Sequence, residues 1–118
     1  GILLYADESI STAEDVSKLK DYVHGVNVKL EKAGGIRGAL KVIQTALQHQ
    51  LKIWVGMMVA SRLGSNTAAH LLPFSHNGGD LDGALLVSEE SQIHEGGFTW
   101  QNGLVVFPSK ALGVGINQ

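Results

Sequence analysis

Short apolar runs alternate along this chain with stretches in which apolar residues return every third or fourth position. Residues 2–6, ILLYA, have the length of a strand, and the DESISTAED that follows is rich in helix-starting residues. Within 13–24, Ala13, Val16, Leu19 and Val23 stand at helical spacing with Asp and Lys between them, and Gly25 ends the helix. VNVKL, 26–30, reads as a second strand and AGG as a loop; from Ile36, the positions Ala39, Leu40, Ile43, Ala46 and Leu47 mark a second amphipathic helix that closes near His49. LKIWVGMMV, 51–59, is the third strand. SNTAAHLL, 65–72, opens on Ser65 as N-cap and makes a short helix stopped by Pro73. SHNGGD is a turn-rich loop, and LDGALLV, 81–87, is the fourth strand. From about 88 to 118, glycine-containing turns around the patch LVVF predict a hairpin-like excursion over one end of the sheet and no fifth helix.

Strands and helices in strict alternation predict a parallel α/β sheet built from crossovers. Four such units are half of an eight-stranded barrel, although a small doubly wound sheet shows the same alternation. Both folds gather chemistry at the C-terminal ends of their strands. That rule selects Asp7 and Glu8 after the first strand, Lys29 late in the second, Met58 to Arg62 after the third, and Asp80 with Asp82 at the fourth. The last pair meets the rule only if the fourth strand begins before Asp80.

Composition narrows the classes. With 118 residues, 44% of them hydrophobic and 17% charged, the chain has the material for one globular domain with a core. The formal net charge of −2 offers no basic stripe for nucleic acid or anionic membranes, and no apolar run reaches the roughly 18 residues of a membrane span. The absence of cysteine excludes disulfides and thiolate metal sites and suits a cytoplasmic protein. No leader pattern opens the chain, which reads as soluble and untargeted. It enters its first strand abruptly, as though continuing a longer sequence.

Period two places Asn27 and Lys29 on one face of the second strand, with Val26, Val28 and Leu30 turned toward the helices. A lysine facing a sheet interior serves as a general base when desolvation and neighbouring cations lower its pKa, or else its stem snorkels to solvent. Asp7 shares a face with Tyr5 and suits either a hard cation or the cap of the next helix. Asp80 and Asp82, two apart, could bind an ammonium group, coordinate metal or share a proton; they could equally be turn residues beside a glycine-rich loop. AGGIRG lacks the dinucleotide and P-loop fingerprints and reads first as a tight turn and second as an anion cradle. The histidines at 24, 49, 70, 76 and 94 have no zinc spacing, and Ser9 and Ser61 have no GxSxG context.

In order along the chain, ADES, VNVKLEKAGGI, GMMVASRLG, GDLDGALLV and the closing ALGVGI resemble the fifth to eighth strands and tail of the muconate-lactonizing subgroup of the enolase superfamily. The DxD at Asp80 and Asp82 is most similar to the dipeptide epimerases of that subgroup. The resemblance implies that residues 1–118 form one partial domain, the C-terminal half of a (β/α)₈ TIM-type barrel. It implies Asp7 as a ligand of Mg²⁺, Lys29 as one of two lysines flanking the reacting carbon, and Asp80 with Asp82 as the holders of a dipeptide's α-ammonium group. The implied chemistry is inversion of the carbon next to a carboxylate through an enediolate.

The family's second lysine and two further metal carboxylates lie on earlier strands. A complete site therefore implies a partner, either the missing N-terminal half or a second copy, and an isolated chain without activity. Where the subgroup carries GxMxE near its seventh strand, this chain reads Gly56, Met57, Met58, Val59, Ala60, without the glutamate. The rival expectations are a non-catalytic half-barrel and a related enzyme, such as an N-acylamino acid racemase, an o-succinylbenzoate synthase or another lyase.

Overall fold

The computed structural model describes residues 1–89, 95–109 and 113–117. Three parallel strands form its sheet in sequence order: β1 (Tyr5–Ala6), β2 (Gly25–Lys29) and β3 (Lys52–Gly56). Between them run α1 (Ala13–Leu19) and α2 (Ile36–Gln48), and α3 (Arg62–Ala69) follows β3. The first helix starts where a capping box satisfies its free amides, with the Thr12 hydroxyl accepting from Asp15 N and the Asp15 carboxylate accepting from Thr12 N at 2.9 Å.

The helices lie on one face of the sheet. Val26 and Val28 of β2 and Ile53 and Val55 of β3 are buried with Val16 of α1 and Val42 and Ile43 of α2. Each such side chain removed from water contributes about 1.5–3 kcal/mol. The opposite face carries Tyr5, Asn27, Lys29 and Trp54, the alternation that period two requires. There the Tyr5 ring lies across Gly25, where any Cβ would meet the ring and would stand 2.7 Å from the Lys52 carbonyl oxygen. The Tyr5 hydroxyl reaches Asn77 Nδ2 at 3.1 Å, bracing β1 to the far side of the sheet.

The fourth strand departs from expectation. LDGALLV is not extended: Asp82–Leu86 is a 3₁₀ helix, and the chain pairs with β3 earlier. His76 N donates to Ile53 O at 3.0 Å, Gly79 bridges Val55 in parallel, and Asp80 N donates to Val55 O at 2.9 Å. Leu81 then turns into the core, and Gly83 packs so tightly on the Met58 carbonyl and the Met57 side chain that a Cβ there has no room. The barrel-like register, with the pairing before Asp80, is therefore the one adopted.

Other boundaries shift as well. β1 is shorter than 2–6, leaving Ile2 at 96% exposure, α1 stops at Leu19, and β3 stops at Gly56. The third helix is capped by Ser61, not Ser65; Ser65 is buried, with its hydroxyl on Met57 Sδ at 3.4 Å. Pro73 lies in a following 3₁₀ turn, Leu72–Phe74.

The excursion is built as expected from small antiparallel ladders, β4 (Glu95–Gly96) with β7 (Ile116–Asn117) and β5 (Thr99–Gln101) with β6 (Leu104–Val106). Asn66 of α3 holds it in place, accepting from Phe98 N at 2.6 Å. His94 and the Ala111 and Leu112 of ALGVGI lie outside the described residues.

His24 and His76 act as pairing elements at strand entrances. Their Nδ1 atoms accept from Leu4 N and Ile53 N, each at 3.0 Å, which places the ring proton of each neutral imidazole on Nε2. In the full-length protein, Gly25→Ala should lower stability by about 1–3 kcal/mol through overpacking against Tyr5 and Lys52, read as a lower unfolding midpoint in urea. An unchanged midpoint would show that the ring moves aside without cost.

Candidate active site

The parallel register decides what meets at the C-terminal edge of the sheet. Ala6 pairs with Val26, so Asp7 falls level with Asn27, and Asn27 Nδ2 donates to Asp7 Oδ2 at 3.0 Å. Lys29 stands two residues further along the same face and reaches back, its Nζ 3.0 Å from Asp7 Oδ1 and 3.3 Å from Glu8 Oε1. Past Lys29 the backbone closes a single helical turn, Ala33 N donating to Lys29 O at 3.1 Å. Residues three apart in such a turn share a side. Lys32 therefore returns to the same carboxylate, with Nζ 2.7 Å from Asp7 Oδ1 and a second hydrogen bond to the Asp7 carbonyl.

Partial burial of Asp7 pushes its carboxyl up, but hydrogen bonds from Lys32, Lys29 and Asn27 outweigh this and hold its pKa below the ordinary 3.8. For Lys29, desolvation pulls downward, and the hydrogen bonds and charges of Asp7 and Glu8 prevail, raising it above 10.5. In this arrangement Lys29 is an ammonium group, set to give a proton before it can take one.

The donor chemistry fits one corner of a hard-cation site. Asp7 and Glu8 supply carboxylate oxygens of the kind Mg²⁺ prefers, and one lone pair of Asp7 Oδ2 is not engaged by Asn27. Among the described residues no cluster of three acidic or histidine side chains forms, so the other ligands would come from outside the described residues.

Asp80 and Asp82 lie just beyond the parallel bridge at Gly79, both exposed on either side of buried Leu81. Neither side chain bonds to the cluster around Asp7; the structure brings Asp7 and Lys29 together and leaves the DxD pair at the rim of the neighbouring strand position. Of the other rim candidates, Arg62 pairs with Glu89 at 2.8 Å, and Ala60 packs beside the core with no carboxylate in its place. The carboxylate that does serve this loop is Glu31, accepting from Met58 N at 3.3 Å.

Lys32, Asn27 and Glu31 were not singled out by the sequence reading as parts of the site. The signal for Lys32 was its spacing of three from Lys29 across a turn. For Asn27 it was the shared face with Lys29, and for Glu31 there was none.

Stability should depend on pH through the central pair. Asp7, with a lowered pKa, contributes fully above its unfolded value near 3.8 and loses that contribution as pH falls through its lower folded value. Lys29, with a raised pKa, contributes fully below its unfolded value near 10.5 and loses it as pH rises through the folded one. In the full-length protein kept free of metal by chelator, Asp7→Asn should narrow the difference in melting temperature between neutral and acidic pH. An equally steep acid limb in the variant would remove Asp7 from the linkage.

Comparison with known proteins places the chain in a family. The enolase C-terminal domain-like family matches residues 1–118. An enolase superfamily member of Dictyostelium discoideum is 48% identical over 98% of this chain and 27% of its own length. An L-Ala-D/L-amino acid epimerase of Flavobacterium johnsoniae is 40% identical over 94% of this chain and 32% of its own. Among solved structures, a dipeptide epimerase of Cytophaga hutchinsonii complexed with Mg and the dipeptide D-Ala-L-Val superposes with a TM-score of 0.84 at 32% identity, covering 99% of this chain and 32% of that one. The chain spans about a third of the length of these relatives. With its parallel strands, its one-sided helical layer and its match over every residue, the chain belongs to the enolase superfamily, as half of a (β/α)₈ barrel in the C-terminal domain-like family.

Proposed function

We propose that the protein carrying this chain is a magnesium-dependent epimerase that inverts the carbon α to a carboxylate in dipeptides. The observation that carries the reading is the meeting of Asp7 and Lys29, 3.0 Å apart, at the C-terminal ends of adjacent parallel strands. Relatives bearing epimerase names support the isomerase class.

A divalent cation held by Asp7 would supply Lewis-acid stabilisation of negative charge developing on the substrate carboxylate. Lys29 moves the proton on one face of the α-carbon: its Nζ donates to the enediolate in one direction of the reaction and, once deprotonated, accepts the α-proton in the other. Glu8, also within reach of Lys29, steadies the ammonium form. Asp80 and Asp82, exposed at the rim, offer negative charge to a free α-ammonium group. The lysine for the opposite face and the remaining cation ligands belong to a partner stretch, the N-terminal half of the barrel.

A bare half-barrel leaves β1 with a free edge, beside exposed Ile2, Leu3 and Leu4. Sedimentation of the purified 118-residue chain should give a dimer or aggregates, and no epimerization. A cooperatively folded monomer would count heavily against the need for a partner.

In the full-length protein with magnesium, Lys29→Ala should abolish epimerization, a loss of about 10² to 10⁴-fold or more, while leaving the fold intact. Asp82→Asn should weaken binding of free-amine dipeptides more than of N-acylated analogues, because the lost charge faces the ammonium and not the reacting carbon. Exchange of the α-proton for solvent deuterium, followed by NMR, reads both. A Lys29→Ala protein at the parent rate removes the base, and unchanged amine preference in Asp82→Asn removes the dipeptide reading.

A further inference from the structure

We infer that Lys32 is a positioning residue: it grips Asp7 at both the backbone carbonyl and Oδ1, and so fixes the carboxylate with Oδ2 turned to a divalent cation. This rests on the proposed role of Asp7 as a cation ligand.

Asp7 begins the loop after β1, and its side chain is 41% exposed, so little packing restrains it. An aspartate so placed has several staggered positions to visit, and holding one costs entropy. Lys32 supplies the restraint. Its side chain is only 10% exposed, and its ammonium group bonds Oδ1 at 2.7 Å together with the carbonyl of the same residue. Two bonds from one largely buried donor to two atoms of one residue tie the side chain to its own backbone.

Lys29 cannot do the same work. Its ammonium group touches a single atom of Asp7 and is drawn to Glu8 at 3.3 Å, where Lys32 stands 3.9 Å away, and the Glu8 side chain is 72% exposed. Asn27 completes the fixation from the other side by donating to Oδ2. Of the four lone-pair directions of the carboxylate, both on Oδ1 are then occupied by lysines and one on Oδ2 by Asn27. The direction that stays open is on Oδ2. A carboxylate held in this way meets a cation without reorganising, as ligands steadied by outer partners do.

Position and charge predict opposite outcomes, which makes the inference testable. Removing a positive charge beside a cation site by itself leaves cation affinity unchanged or raises it, whereas releasing the ligand lowers it. In the full-length protein without substrate, Mn²⁺ binding followed by electron paramagnetic resonance should be about 10- to 100-fold weaker in Lys32→Met than in the parent. The circular dichroism and cooperative unfolding of the variant should be retained. Lys32→Arg, which keeps both the charge and the paired donors, should recover most of the affinity. If Lys32→Met does not fold, Lys32→Gln, shorter and uncharged, should show the same weakening.

Parent-like or tighter Mn²⁺ binding in a folded uncharged variant overturns the positioning role and leaves the cation reading standing. Failure of the parent protein to bind Mn²⁺ at Asp7 overturns both.

Discussion

The carboxylate of Asp7 is the point at which three separate stretches of chain agree. It belongs to the loop after β1, it is bonded by Asn27 and Lys29 from β2, and it is gripped by Lys32 from the turn that leads into α2. None of these contacts survives a slip in strand register, because a shift of one residue sends Asn27 and Lys29 to the helical face. The register is enforced in turn by Val26 and Val28, which have nowhere else to be buried. Packing on one side of the sheet thus determines the chemistry on the other.

That division explains which parts of the molecule could be read from sequence. The faces of strand β2 were legible, because alternating valines and polar groups admit only one assignment, although the strand runs Gly25–Lys29, one residue earlier than the expected 26–30. Helix α2 was legible because its apolar stripe is long enough to separate from chance. The fourth strand position was misread because LDGALLV has the composition of a strand, while the pairing is made by His76, Gly79 and Asp80, residues that look like a loop. There the backbone bonds to β3 outweigh side-chain propensity, as tertiary context generally does. The start of α3 was misplaced because Ser61 and Ser65 are equivalent as caps on paper; in the fold the Ser61 hydroxyl accepts from Gly64 N while Ser65 is buried against Met57.

For the candidate site, strand-end logic selected Asp7 and Lys29, and Lys32 was marked only by its spacing of three from Lys29. Its contribution depends on the turn that follows Lys29, and periodicity carries no information about a turn's exact path. The DxD pair illustrates the converse. Its position at the rim follows from the early pairing of the chain with β3, so it was readable only through the register that the family resemblance suggested. With Ala at position 60, Glu31 reaches across from the preceding loop to hold the Met58 amide.

The hydrogen bond between Tyr5 and Asn77 joins residues 72 positions apart, across three strands and over a glycine that leaves room for the ring. A contact of that separation is among the last to be gained as a chain organises, since the entropy of closing so long a loop is lost before any local reward returns it. The hydrogen bonds within α1 and α2 have no such delay. The brace can therefore close only once both ends of the sheet are in place.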